Sequence, residues 1–248
     1  MKVLAIGNSF SQDATAHLHQ TAAAQGVALD VLNLFIGGCP LERHWHNIEE
    51  NAAEYAPTYN GVAYGSQLIS IQDALDMGGW DVITLQQASH DSGWPDSYEP
   101  FLTLLVDYLR KQAPNARILL HETWAYDPDS AHPRFIRYNR SQQEMYDRLR
   151  SCYSAMAQKH GLELIPCGDV IQALRQHPAF DMQDGGRTLC RDGFHMSLGY
   201  GRYALACVWL RALCRTPVSQ NPYVPFCPEP VEEPLLQIIR DTAEQMIP

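Results

Sequence analysis

Short apolar runs recur along the chain, each ending at a glycine or a polar turn and each followed by a stretch of helical periodicity. Lys2-Val3-Leu4-Ala5-Ile6 reads as a buried strand that stops at Gly7. The alanine-rich segment Asp13 to Gln25 reads as a helix stopped by Gly26. Further strands are predicted at Ala28–Leu34, Trp80–Leu85, Ala116–His121 and Leu162–Pro166. Helices are predicted at Ser66–Met77, Tyr98–Gln112, Tyr138–His160, Asp169–Gln176 and Ser197–Leu213. Strands alternating with helices give five strands in a parallel sheet covered on both faces, an α/β fold. In such sheets ligands collect beyond the carboxyl ends of the strands, so the loops there are where chemistry is sought.

Two segments fall outside this rhythm. Ala56 to Gly65 carries too much Tyr, Pro and Gly for a helix and reads as a hairpin or loop inserted over the site. From Thr216 to Pro234 a proline-rich stretch reads as a wrapping tail, followed by a last helix from Glu233 to Met246. With no internal repeat or low-complexity linker, the 248 residues are read as one domain, with 216–248 as its C-terminal tail and helix.

Composition narrows the function classes. A formal net charge of −10 disfavours nucleic acid or an anionic membrane as partner, because either needs a basic face. The first apolar run is too short for a signal peptide core, and no stretch is apolar enough to span a bilayer, so a cytoplasmic protein is expected. Seven scattered cysteines without a C-x-x-C pair suggest buried thiols, neither a disulfide framework nor a zinc knuckle. Two H-x-H pairs, His17/His19 and His44/His46, raise the question of a metal. The first falls in a helix, where residues two apart do not share a face, and the second in a loop near Cys39 and Glu42. Substrate contact or surface exposure accounts for them better, so no metal is assigned.

Two turns can carry chemistry. The loop after the first strand, Gly7-Asn8-Ser9-Phe10-Ser11, delivers a hydroxyl to a helix start, where backbone N–H groups and the helix dipole favour negative charge. A serine there also serves as a helix cap. Position 11 is Ser11 where a G-x-S-x-G nucleophile elbow needs glycine, and Ser11 and Asp13 can cap the helix instead. Near the other end, Asp192-Gly193-Phe194-His195 puts a carboxylate and an imidazole in one turn. At that spacing Asp192 can accept from His195 Nδ1 and leave Nε2 free to take a serine proton, although the same turn can simply cap a helix.

Together, Gly7-Asn8-Ser9 and Asp192-Gly193-Phe194-His195 resemble the first and last blocks of the SGNH/GDSL hydrolases, G-[DN]-S and D-x-x-H, across nearly the whole chain. The resemblance implies a flavodoxin-like three-layer α/β/α sandwich and a serine esterase without cofactor. It makes Ser9 the nucleophile, His195 the base and then acid, and Asp192 the orienting carboxylate. The family's second block is a glycine whose N–H helps hold the oxyanion, and Ile36-Gly37-Gly38-Cys39 stands in its place; Gly38 is the choice, with Gly37 next.

The third block departs from the pattern. Where G-x-N-D is expected, the chain reads Leu85-Gln86-Gln87-Ala88-Ser89-His90. A glutamine offers the same amide donor on a longer arm, so Gln86 is assigned to the oxyanion hole beside the Ser9 and Gly38 N–H groups, with Gln87 its rival on the opposite face. Gln87, His90 and Trp124 are the expected substrate contacts, Trp124 either stacking on a sugar or simply packing. The nearby aromatic residues, Trp45, Trp94 and Tyr64 among them, tilt the expected substrate towards short acyl esters of carbohydrates. A lipase or thioesterase of the same clan, or an inactive carbohydrate-binding homologue, are the alternatives.

Overall fold

The computed structural model describes residues 1–247. Five strands form the parallel part of its sheet: β1 (Lys2–Gly7), β2 (Asp30–Phe35), β5 (Val82–Leu85), β6 (Arg117–His121) and β7 (Glu163–Ile165). They run parallel, in the order β2-β1-β5-β6-β7. In β1, Val3, Leu4, Ala5 and Ile6 are all buried, as a strand covered on both faces requires. The sheet is larger than the five parallel strands expected. The Ala56–Gly65 segment forms a hairpin, β3 (Ala56–Tyr59) and β4 (Val62–Ala63), turned by Asn60-Gly61, and β3 pairs antiparallel with β2. The sheet is therefore mixed and seven-stranded, order β4-β3-β2-β1-β5-β6-β7, with this hairpin extending one edge of the sheet.

The predicted first helix is two: α1 (Ser9–Thr15) and α2 (Leu18–Ala23). It breaks where the hairpin turn crosses it, since a Cβ on Gly61 would lie 2.3 Å from the Ala16 carbonyl oxygen. A helix that the periodicity did not reveal, α3 (Leu41–Glu49), follows Pro40 and contains His44 and His46, which were expected in a loop. The helix α4 (Ile71–Asp76) starts later than predicted, at a capping box in which Ser70 and Asp73 bond each other's backbone N–H. Next come α5 (Phe101–Gln112) after Pro100, α6 (Gln142–His160), α7 (Cys167–Arg175), α8 (Tyr200–Cys214) and α9 (Glu233–Met246). Buried almost all round, α8 packs against α1, α2, α7 and α9. All seven cysteines are free thiols, five of them buried. Among the described residues no helix is long and apolar enough to cross a membrane.

Candidate active site

The C-terminal ends of β1, β2, β5 and β6 bring their loops to one edge. At the end of β1, Asn8 is the N-cap of α1: its Oδ1 accepts from the Phe10 N–H at 3.0 Å. Asn8 therefore takes the capping task that a lone serine would otherwise fill, and Ser9 keeps a free hydroxyl at the first turn. Glycine is needed before it, because a Cβ on Gly7 would stand 2.6 Å from Ser11 Oγ and 3.0 Å from the Gln86 carboxamide carbon. Ser11 itself is buried and donates to the Asn8 carbonyl oxygen at 2.9 Å, which closes the turn from within.

The second turn arrives from 186 positions further along. His195 Nε2 lies 2.8 Å from Ser9 Oγ, and His195 Nδ1 lies 2.7 Å from Asp192 Oδ2. The other oxygen of Asp192 accepts from the His195 and Phe194 backbone N–H groups at 2.7 and 3.2 Å. Burial by itself would raise the Asp192 carboxyl, but the bonds from the His195 ring and from the two N–H groups outweigh it and hold it below its ordinary value. An ionised Asp192 keeps the His195 proton on Nδ1, so Nε2 is the acceptor that faces the serine hydroxyl. Gly193 makes the turn possible: its φ is +83°, and a Cβ would stand 2.8 Å from the Ser130 backbone.

What holds the two turns together was not legible as a motif. Asp13, on α1 one turn beyond Ser9, is fully buried. It accepts from the Met196 N–H at 2.9 Å, from Arg191 through both oxygens at 3.0 Å, and from Arg202 at 2.8 Å. Arg191 and Met196 flank Asp192 and His195, so one carboxylate fastens the whole turn to the helix that carries Ser9. The sequence suggests for Asp13 only a helix cap. Its partners lie almost the full chain away, and no spacing rule connects them.

The third-block residues do other work than expected. Gln86, at 1% exposure, donates from Nε2 to Asn8 Oδ1 at 2.6 Å and accepts at Oε1 from His121 Nδ1 at 2.8 Å. Burial drives the His121 imidazole down to about 3, so it is neutral and its Nδ1 proton can serve this bond. The carboxamide expected to face an oxyanion is thus engaged at both ends, on His121 and on the cap of the serine turn. Gln87 is equally buried: Oε1 accepts from the Leu41 and Ala88 N–H groups, and Nε2 donates to Ser97. It joins the loops after β2 and β5 and has no surface to offer a substrate. Trp124 is likewise fully buried, stacked on Phe10 at 4.0 Å between ring centres, with Nε1 donating to the Phe194 carbonyl oxygen. It packs beneath both turns, so the packing alternative is the one observed.

Gly37 and Gly38 are exposed at the end of β2, in a turn closed by the Cys39 N–H on the Ile36 carbonyl oxygen. The Asn8 Nδ2 donates to the Cys39 carbonyl oxygen at 3.1 Å and ties this glycine turn to the serine turn. His90 is part-exposed in the loop after β5. The H-x-H pairs diverge: His17 bonds Leu198 and Tyr223, His19 bonds Leu29, His44 is buried against Tyr55, and His46 pairs with Glu49. Among the described residues no group of three or more His, Cys, Asp or Glu is arranged to hold a metal ion.

Residues 2–245 match the family model DUF4886, described as a domain of unknown function. This chain belongs to the DUF4886 family. A solved DUF4886 structure from Bacteroides uniformis ATCC 8492 is 38% identical with a TM-score of 0.90, over 100% of this chain and 94% of that one. More distant structures share the fold of the DUF4886 chain. A protein from Slackia heliotrinireducens, given as a candidate SGNH hydrolase, is 20% identical with a TM-score of 0.58, over 86% of this chain and 98% of its own. A catalytic mutant of Axe2, an acetylxylan esterase from Geobacillus stearothermophilus, is 15% identical with a TM-score of 0.57, over 86% and 94%. No curated protein sequence matches the chain. The DUF4886 fold is thus that of the SGNH hydrolases and esterases among its structural neighbours.

Proposed function

We propose that this DUF4886 protein is a serine esterase that removes short acyl groups, acetyl above all, from hydroxyls of saccharides. The observation that carries the reading is the unbroken chain from Ser9 Oγ through His195 to Asp192, at 2.8 and 2.7 Å. Ser9 Oγ attacks the ester carbonyl while His195 Nε2 takes its proton, and the Nδ1–H bond to Asp192 stabilises the imidazolium. The Ser9 N–H at the start of α1 and the Gly38 N–H are the donors for the developing oxyanion. Gln86 works one step back, holding Asn8 and through it both donor turns. Collapse of the tetrahedral species breaks the ester C–O bond, and His195 returns its proton to the departing alcohol. Water, deprotonated by His195, then attacks the acyl-Ser9 carbonyl and releases the acid.

The saccharide preference draws support from the acetylxylan esterase among the structural neighbours and from the imidazole and aromatic side chains beside His195. A fluorophosphonate probe tests the nucleophile. Labelling of the folded protein that vanishes in Ser9→Ala is expected; no labelling at all would leave an inactive binding protein as the better reading. Turnover of p-nitrophenyl esters should fall sharply beyond acetate. A profile that rises with chain length would point to a lipase or thioesterase instead.

A further inference from the structure

Two histidines that take no part in the Ser9–His195–Asp192 chain face each other beside it. His90 lies in the loop after β5 and His132 in the loop after β6, with ring centres 5.8 Å apart and nearly parallel planes. His132 packs edge-on against Phe194 at 4.9 Å, and Phe194 touches the His195 ring at 4.2 Å. The four rings form a row that leads away from the nucleophile across two loops. Both histidines are only partly buried, so the row reaches solvent.

The loops that carry the pair are fixed. The His90 carbonyl oxygen accepts from Arg137 at 3.2 Å and from Tyr138 Oη at 3.1 Å, and Ser89 Oγ and Tyr126 Oη lie 2.8 Å apart. Arg137 also pairs with Asp91. Burial lowers both imidazoles from their ordinary value; Arg134 and Arg137 add to this at His90, and His90, His195 and Arg134 add to it at His132. Asp91 and Asp192 pull the other way and do not win. Both rings are therefore neutral at pH 7, and their tautomers follow from their partners. His132 Nδ1 accepts from the Arg134 N–H at 3.2 Å, which puts its proton on Nε2. His90 Nε2 lies 3.3 Å from Asp91 Oδ2, a place for its proton that leaves Nδ1 as an acceptor.

We infer that His90 and His132 form a subsite for the alcohol portion of the substrate, binding its hydroxyl groups; the inference rests on the esterase reading above. A neutral donor and a neutral acceptor side by side match a hydroxyl, which both gives and takes a hydrogen bond. A carboxylate or phosphate would call for donors alone, whereas His90 Nδ1 presents an acceptor. A flat pair of rings next to Phe194 also suits the apolar face of a pyranose.

The test is selectivity: kcat/KM for a mono-O-acetylated methyl glycoside divided by kcat/KM for p-nitrophenyl acetate, which has no sugar hydroxyls. His132→Phe keeps the ring against Phe194 and removes the hydrogen bond. The ratio should fall about tenfold, chiefly through a higher KM for the glycoside, as expected for a lost neutral hydrogen bond. His132→Gln should restore most of it. A ratio unchanged in both variants overturns the subsite, and so does a parallel loss on the two esters, which would mean that the ring only packs behind His195. Should His132→Phe lose its cooperative thermal transition, His90→Phe and His90→Gln put the same question with the same outcomes. If the unmodified protein hydrolyses neither ester, the esterase reading itself fails and the subsite with it.

Discussion

Ser9 reacts, on this reading, only because Asn8 does not. Asn8 makes three side-chain bonds, to the Phe10 N–H, to Gln86 and to the Cys39 carbonyl oxygen, and so joins the serine turn, the glycine turn and the end of β5. Asn8→Ala should cost about 1 kcal/mol for the cap alone. It also strands the buried Gln86 amide, so a total nearer 2–3 kcal/mol is expected in a denaturant titration. Asp192→Asn leaves the shape of the turn and reverses the polarity of the bond that sets the His195 tautomer. A fall in kcat on the order of 10³–10⁴ with little change in KM is expected for p-nitrophenyl acetate. Both turns are legible in the sequence because their residues are consecutive and their spacing carries the chemistry. The structural role of Gln86 was not legible for the converse reason. A donor amide and a strut amide have the same composition, and only the positions of Asn8 and His121 tell them apart.

At the scale of elements, the problem is to keep a turn from near the C-terminal end within hydrogen-bond reach of the first helix. Asp13 solves it with one buried carboxylate that binds Arg191, Arg202 and the Met196 N–H. Removing one partner of a buried ion pair leaves the others uncompensated, at about 3–5 kcal/mol. Roughly 3 kcal/mol is expected for Asp13→Asn, the lower end, because Arg191 and Arg202 stay partly open to water. The sharper expectation is kinetic. Asp13→Asn should slow fluorophosphonate labelling of Ser9 at temperatures where circular dichroism shows the protein still folded, since His195 then loses its fixed place. Labelling at the unaltered rate would make Asp13 a stabilising residue and nothing more. The parallel strands were readable because a strand buried on both faces is a continuous apolar run. The Ala56–Gly65 segment was readable as a hairpin or loop, but its pairing with β2 was not, nor was the helix break at Ala16, because both are contacts with segments distant in the chain, the second more than forty residues away.

Across the whole molecule, stability should depend on a carboxyl that the catalytic scheme does not use. Glu122, directly after β6, is buried against the N-terminus of α7, where its Oε2 accepts from the Asp169 N–H at 3.0 Å. Burial, with the Asp169 carboxylate close by, pushes Glu122 up to about 8; bonds from the Asp169 and Gly168 N–H groups and the charge of Arg150 offset this only in part. The folded state therefore holds a proton that the unfolded chain releases near its ordinary value of 4.5. Between those two values the folded state binds more protons than the unfolded one, so stability falls as pH rises. The contribution is fully present below about pH 4.5 and lost once the pH passes about 8. Asp169 does not relieve Glu122, since it is committed to Arg150 and to the Tyr146 hydroxyl. Glu122→Gln keeps an acceptor oxygen for the Asp169 N–H and cannot ionise, so the difference in thermal midpoint between variant and parent should widen in the variant's favour from pH 5 to pH 9. A difference that stays flat across that range would mean that Glu122 is already ionised in the folded protein, with α7 and Arg150 together stabilising its charge.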